Sequence, residues 1–380
     1  MSSASPMKLE ALVEEAQRVL SICNACRYCE GYCAVFPALE RRLAFGEGDV
    51  HYLANLCHNC GACLYACQYA PPHEFRLNFP RVLAQVREQT YRKYAWPAFL
   101  AGLFERNGVV VSLATAASIA FLFIFTALIA DPARLFTAYS DAQGSFYAVL
   151  PHNTMVTLFG AVSIFVTLSF IMGFVRFWPD LGEEVGEFVR VGSFSQALRD
   201  ALTLKYLDGG SGDGCTYPDE RPSYARRTFH HFTFYGFMLC FAATSVATLY
   251  HYVFKWPAPY PALSLPVMLG IAGGVGLLIG PAGLLWLKGK RDPELADTKQ
   301  TGMDVAFLAL LFLVSLTGLL LLFLRETRAM GVLLAVHLGV VLALFLTLPY
   351  GKFVHALYRF AALVRFHIER RRPLPEIGSE

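Results

Sequence analysis

Six long apolar runs dominate the chain after its first hundred residues, near 109–130, 154–178, 229–254, 263–287, 303–324 and 330–358. A helix needs about 20 apolar residues to cross the hydrocarbon layer, and these runs reach that length with no polar face. The pattern predicts six membrane spans rather than buried helices of a soluble protein. Upstream, residues 1–93 are polar and contain no run of that kind. The opening segment, Ser5-Pro6-Met7-Lys8-Leu9 onward, reads as an amphipathic helix with a Ser cap and Pro in its first turn. It lacks the apolar stretch of a signal peptide. Between the two parts, Tyr94–Arg106, with Trp96 and Phe99, reads as an interfacial anchor.

The polar connections set the orientation. Arg190, Arg199, Lys205, Arg221, Arg226 and Arg227 lie in 179–228; Lys288, Lys290, Arg291 and Lys299 follow the fourth run; Arg359, Arg365 and Arg370-Arg371-Arg372 follow the sixth. The opposite connections carry only Arg134, Lys255, Arg325 and Arg328. Positive charge stays inside, so both termini are expected in the cytoplasm, with the chain in a bacterial cytoplasmic membrane. The expected division is a cytoplasmic domain at 1–93, a transmembrane domain at 94–360 with a cytoplasmic loop at 179–228, and a basic tail at 361–380. In the fourth run Gly270, Gly273, Gly274, Gly276, Gly280 and Gly283 allow close helix packing, or room for a flat cofactor or quinone. The 209–214 stretch, Gly-Gly-Ser-Gly-Asp-Gly, reads as a flexible loop.

Composition agrees with the membrane reading: 55% hydrophobic residues, 16% charged and a mean hydropathy of +0.44. A net charge of +3 gives no field for nucleic acid. Eight of ten cysteines fall between Cys23 and Cys67. In a reducing compartment such clustering signals metal rather than disulfides.

The cysteines form two C-x2-C-x2-C-x3-C motifs, Cys23/Cys26/Cys29/Cys33 and Cys57/Cys60/Cys63/Cys67. Two-residue spacers let three thiolates curl round one cubane, while the fourth points to the neighbouring one. This predicts two [4Fe-4S] clusters, the first on Cys23, Cys26, Cys29 and Cys67, the second on Cys57, Cys60, Cys63 and Cys33. Structural zinc is the competing reading, although zinc ribbons pair two C-x2-C knuckles. The Pro that usually follows the fourth Cys of a ferredoxin motif is replaced by Ala34 and Gln68. His58 and His73 read as solvated surface residues, Cys240 as a buried apolar residue; Cys215 fits no ligand spacing.

Histidine inside a span is costly and commonly functional. The third run has His230-His231 and His251, the sixth His337 and His355, and His152 just precedes the second. The 18 residues from His337 to His355 make five helical turns and about 27 Å. Antiparallel spans would then pair His230 or His231 with His355 near the inner side, and His251 with His337 near the outer. By rotation His230 is the better placed of its pair. Two haems b, one, or none remain open, and Arg226, Arg227 and Arg359 are candidates for haem propionates. Pro349 between His337 and His355 is a potential kink.

The runs Cys-Arg-Tyr-Cys-Glu-Gly-Tyr-Cys-Ala-Val-Phe-Pro (26–37) and Cys-His-Asn-Cys-Gly-Ala-Cys-Leu-Tyr-Ala-Cys-Gln-Tyr-Ala-Pro-Pro-His-Glu-Phe (57–75) resemble the tricarballylate or citrate utilization protein B family. So do Asp213-Gly-Cys-Thr-Tyr-Pro-Asp-Glu and Arg226-Arg-Thr-Phe-His-His. The resemblance implies an electron-transfer subunit that reoxidises a partner FAD-dependent tricarballylate dehydrogenase and passes electrons to membrane quinone. The same module is similar to part of a flavoprotein of cobalamin biosynthesis, and a quinol-oxidising subunit of a nitrate or heterodisulfide reductase type is the alternative. No Gly-x-Gly-x-x-Gly follows a strand, so FAD is expected on another polypeptide. The expected fold is all-α: a helical ferredoxin-like domain followed by a six-helix bundle of cytochrome b type, surrounded by membrane lipid.

Overall fold

The computed structural model describes residues 9–129, 132–139, 145–209, 212–295 and 297–373. The described residues are helical, with one isolated bridge between Cys215 and Ser223 and no strands. The helices of ten or more residues are α1 (Leu9–Cys26), α2 (Glu47–Leu56), α3 (Phe79–Lys93), α4 (Asn107–Ile129), α5 (His152–Asp180), α6 (Val191–Leu202), α7 (Ala225–Tyr252), α8 (Leu265–Gly289), α9 (Thr298–Leu324), α10 (Met330–Thr347) and α11 (Val354–Glu369). The expected cap at Ser5 and Pro6 lies outside the described residues, as do residues 210–211 of the glycine-rich loop.

Among the described residues, six helices are long and apolar enough to span a membrane: α4, α5, α7, α8, α9 from Thr301, and α10 with its continuation to Tyr350. The chain is thus a multi-pass membrane protein. The fourth run's glycines pack helices together. A Cβ on Gly273 would strike Cys240, and one on Gly280 would strike Thr233 and the Phe229 carbonyl, so α7 and α8 touch backbone to backbone. Gly274 faces Leu319 of α9, and Ser315 donates a hydrogen bond to the Gly274 carbonyl at 2.6 Å.

Two expectations need correction. The run 330–358 is not one helix, because α10 ends at Thr347 and a 3-10 turn occupies Leu348–Tyr350. Pro349 has no N–H to continue the ladder, and its ring conflicts with the carbonyl one turn back. The Asn107 side chain fills the gap, donating to the Tyr350 carbonyl at 2.5 Å. His337 and His355 therefore sit on separate helices, and the shared-face argument fails.

Nor is 361–380 simply a tail. α11 runs to Glu369, and Ala361, Ala362, Val364 and Ile368 are buried in the same core as Leu20, Leu39, Leu53 and Leu83 of the N-terminal part. Buried charges lock this junction: Arg42 bonds to Asp49 at 2.6 Å and to Glu369, Arg365 bonds to Glu369 at 3.0 Å, and Tyr52 donates to Glu369 at 3.1 Å. In the anchor segment Phe99 is exposed, whereas Tyr94 is buried and donates to Asp180 at the end of α5. The segment expected as a cytoplasmic loop, 179–228, contains α6, which packs on α11.

Candidate redox site

The last turn of α1 carries Cys23 and Cys26, and tight turns carry Cys29 and Cys33. Cys57 caps α2, Cys63 lies in the short helix Ala62–Tyr65, and Cys60 and Cys67 flank it in irregular backbone. Folding groups the thiols across the two motifs. Burial, then Cys67, Cys29 and Cys26, push the Cys23 thiol up to about 12, and burial with Cys67 and Cys26 pushes Cys29 to about 12. Burial, then Cys60 and Cys57, hold Cys33 well above its usual value; Cys63 is raised by burial, Cys60, Cys57 and Cys33. Cys63 also feels Cys29, so the two sets adjoin there.

Four thiolates this close repel one another and stay protonated until a cation compensates them. That donor set suits iron–sulfur clusters, which take four thiolates each. Among the described residues, no three His, Cys, Asp or Glu side chains close on a single-ion site. Amide and side-chain donors already point at sulfur: Asn59 N–H to Cys57 Sγ at 3.4 Å, and Gln68 Nε2 to Cys26 Sγ at 3.7 Å. The first set is half-buried and sits beside exposed Tyr28, while Cys57 and Cys60 are buried.

Gly61, between Cys60 and Ala62, has φ of +89°, and a Cβ there would strike the Thr216 carbonyl. The loop carrying Cys215 thus lies against the second set, and Cys215 is fully buried in one cluster with Cys60, Leu287 and Leu295. Its segment had been singled out only by resemblance, since ligand spacing cannot reveal a neighbour 155 positions away (215 − 60).

Three arginines clamp the second motif. Arg87 donates to the Cys57 carbonyl at 2.6 Å, Arg359 to the same carbonyl at 2.9 Å, and Arg226 to the Asn59 and His58 carbonyls at 2.8 and 2.9 Å. Arg226 and Arg359 are thereby committed to backbone rather than open for propionates, and Arg227 donates to Thr203. His58, expected at the surface, is buried among these cations. Burial first, then Arg359, Arg226 and Arg87, hold its imidazole neutral, well below its usual range. His73 packs instead on Tyr69 and Phe75, at 5.1 and 4.9 Å.

One turn from Arg226 and Arg359 stand His230 and His355, with ring centres 6.4 Å apart and planes at 78°. A metal–imidazole bond is about 2 Å, so imidazoles on opposite faces of one haem iron stand roughly 6 Å apart, centre to centre. His355 donates Nδ1–H to the Lys352 carbonyl, which leaves Nε2 as the free lone pair. The buried Nδ1 of His230 has no hydrogen-bond partner among the described residues. The inner pair therefore fits an iron between its rings. His231 turns away towards Tyr235, 5.7 Å between ring centres.

The outer pair does not form. His251 stacks on His152 with centres 3.8 Å apart and planes at 25°, too close and too parallel to hold an iron between them. His337 bonds Thr317 of α9 at 3.0 Å. Helix periodicity could not show this, because it says nothing about which helices are lateral neighbours.

Comparison with known proteins places these features in a family. Residues 103–376 match the family described as Citrate utilization protein B, and residues 16–93 match the Citrate utilization protein B Fer4-like domain. The chain is 54% identical over 358 residues, 94% of its length and 93% of the relative's, to a protein of Escherichia coli named Citrate utilization protein B. No solved structure matches the chain.

Proposed function

The chain belongs to the citrate utilization protein B family, and from that premise we propose that it reoxidises a partner FAD-dependent dehydrogenase, tricarballylate dehydrogenase by resemblance, and delivers the electrons to membrane quinone. The match to a Fer4-like domain supports its iron–sulfur character, and the six long apolar helices support its place in the membrane. Two [4Fe-4S] clusters and one haem b would supply single-electron storage when bound. Cys23, Cys26, Cys29 and Cys67 hold the outer cluster; Cys57, Cys60, Cys63 and Cys33 hold the inner; His230 and His355 hold the haem. The cysteine domain and both termini face the cytoplasm, as the basic connections require.

The observation that carries this reading is the Arg226–Arg359 clamp. Each arginine is one turn from a candidate haem ligand and hydrogen-bonded to the loop of the buried thiol set. The half-buried set beside Tyr28 is the entry side for a flavoprotein, and the arginine-rich set favours an added negative charge next to the membrane. That asymmetry supports the proposed direction, since positive charge raises the potential of the inner cluster.

Anaerobically purified protein should hold about eight non-haem irons, as two four-iron clusters require, and a b-type optical spectrum. Cys60→Ser should remove one cluster signal, and His355→Ala the haem band. Reduction by a reduced flavoprotein, with re-oxidation by quinone, supports the proposed direction. Reduction by quinol alone would reverse it, and zinc in a colourless protein would end the proposal.

A further inference from the structure

Beyond the redox chain, α6 and the end of α11 enclose a cavity of about 630 Å³. Arg199, Lys205, Arg370 and Arg371 surround it, over a floor of Asp200 and His367. His367 Nε2 bonds to Asp200 at 2.9 Å, and Lys205 lies 3.7 Å from the same carboxylate. Among the described residues, Arg199, Arg370 and Arg371 have no carboxylate within salt-bridge distance. Arg371 is nevertheless placed, its guanidinium packing against Gly192 at the start of α6. His367 is only 3% exposed, yet its buried Nδ1 has no hydrogen-bond partner among the described residues. Four cations face one carboxylate, so the cavity has a surplus of positive charge and an unused polar atom at its base.

α6 also has a second face. Gln196, Arg199 and Thr203 line the cavity at spacings of three and seven, whereas Val191, Leu198 and Leu202 form an exposed stripe at spacings of seven and eleven. With about 100° per residue, the stripe lies roughly a quarter-turn or a little more from the cavity face. α6 connects α5 and α7 at the end of the bundle where those helices meet the cysteine motifs. An apolar stripe flanked by cations, at the end of membrane spans, is how a helix sits in the headgroup layer.

We propose that this cavity binds a phosphate-bearing anion, with the phosphodiester headgroup of an anionic phospholipid as its source and the apolar stripe along the acyl chains. Arg199, Arg370 and Arg371 supply paired N–H donors for phosphate oxygens, and His367 Nδ1, left as an acceptor by the Nε2–H bond to Asp200, takes a hydrogen bond from a headgroup hydroxyl. A soluble phosphate ester has the same headgroup chemistry without the chains, so the experiment separates the two.

The full-length protein, delipidated in neutral detergent, is titrated with phosphatidylglycerol, phosphatidylcholine or glycerol 3-phosphate, and retained adducts are measured by native mass spectrometry. Phosphatidylglycerol should be retained over phosphatidylcholine. Arg199→Gln/Arg371→Gln, both at exposed positions, should weaken that retention about thirtyfold, taking roughly 1 kcal/mol for each of the two basic residues near a lipid surface. Arg199→Lys/Arg371→Lys should keep most of it, and Arg190→Gln, outside the cavity, should leave it unchanged. If glycerol 3-phosphate binds the wild type alone and displaces the lipid, the site stands and its ligand is soluble. Equal retention of both lipids, or retention unaffected by the Gln substitutions, overturns the proposal.

Discussion

Arg359 illustrates how single residues divide the work. Its guanidinium donates to the Cys57 carbonyl and sits with Arg87 and Arg226 around the second thiol set. Arg359→Gln should lower the reduction potential of the inner cluster by some tens of millivolts, read by EPR redox titration, with the outer cluster unmoved. Burial has a different effect at His51, whose Nδ1–H bonds Tyr94 at 2.8 Å while Tyr94 donates to Asp180 at 2.9 Å. Burial, then Lys93, depress its pKa from 6.5 to about 4, against Glu47 and Asp180. Neutral His51 thus stabilises the fold above pH 6.5, and that contribution is lost as pH falls through about 4. Thermal unfolding followed from pH 7 to pH 4 should fall less steeply for His51→Gln, which keeps the donor and cannot protonate. The thiol spacing was readable in the sequence because each motif is local. The partners of His251 and Cys215 were not, because they come from helices and loops distant in the chain.

Helices were legible where hydrophobicity alone decides them. The six apolar runs correspond to six helices, since a continuous lipid-facing run has no other way to satisfy its backbone. What failed was the last run, where Pro349, with Gly351 and Lys352 just after it, splits α10 from α11. Pro349 marks a kink in the sequence, but the separation of His337 from His355 is visible only in the fold. The glycines of α8 show the reverse case, small residues whose purpose emerges only with their neighbour. Gly280→Val would drive a branched side chain into Thr233 and the Phe229 backbone. It should cost about 1–3 kcal/mol as overpacking, seen as a lower melting temperature in detergent. Gly289→Ala, with open space around it, should be close to neutral.

Across the whole molecule, a buried ion triad ties the bundle together where it meets the cysteine-bearing part. Asp304 of α9 pairs with Lys288 of α8 at 2.5 Å and Lys352, in the break before α11, at 2.7 Å. Asp304→Asn leaves two largely buried ammonium groups without a counter-charge. The expected loss is about 3–5 kcal/mol, the usual cost of breaking a buried pair, and denaturant titration would register it. No apolar run announced this triad, because its members lie at the ends of three separate spans. The packing of α11 has a further meaning for how the protein is made. The core of the cysteine-bearing part includes Ala361, Ala362, Val364 and Ile368, which are synthesised only after all six spans. That core is therefore completed only after the sixth span has been made, and a nascent chain stopped at residue 353 would lack the residues of α11 that fill it.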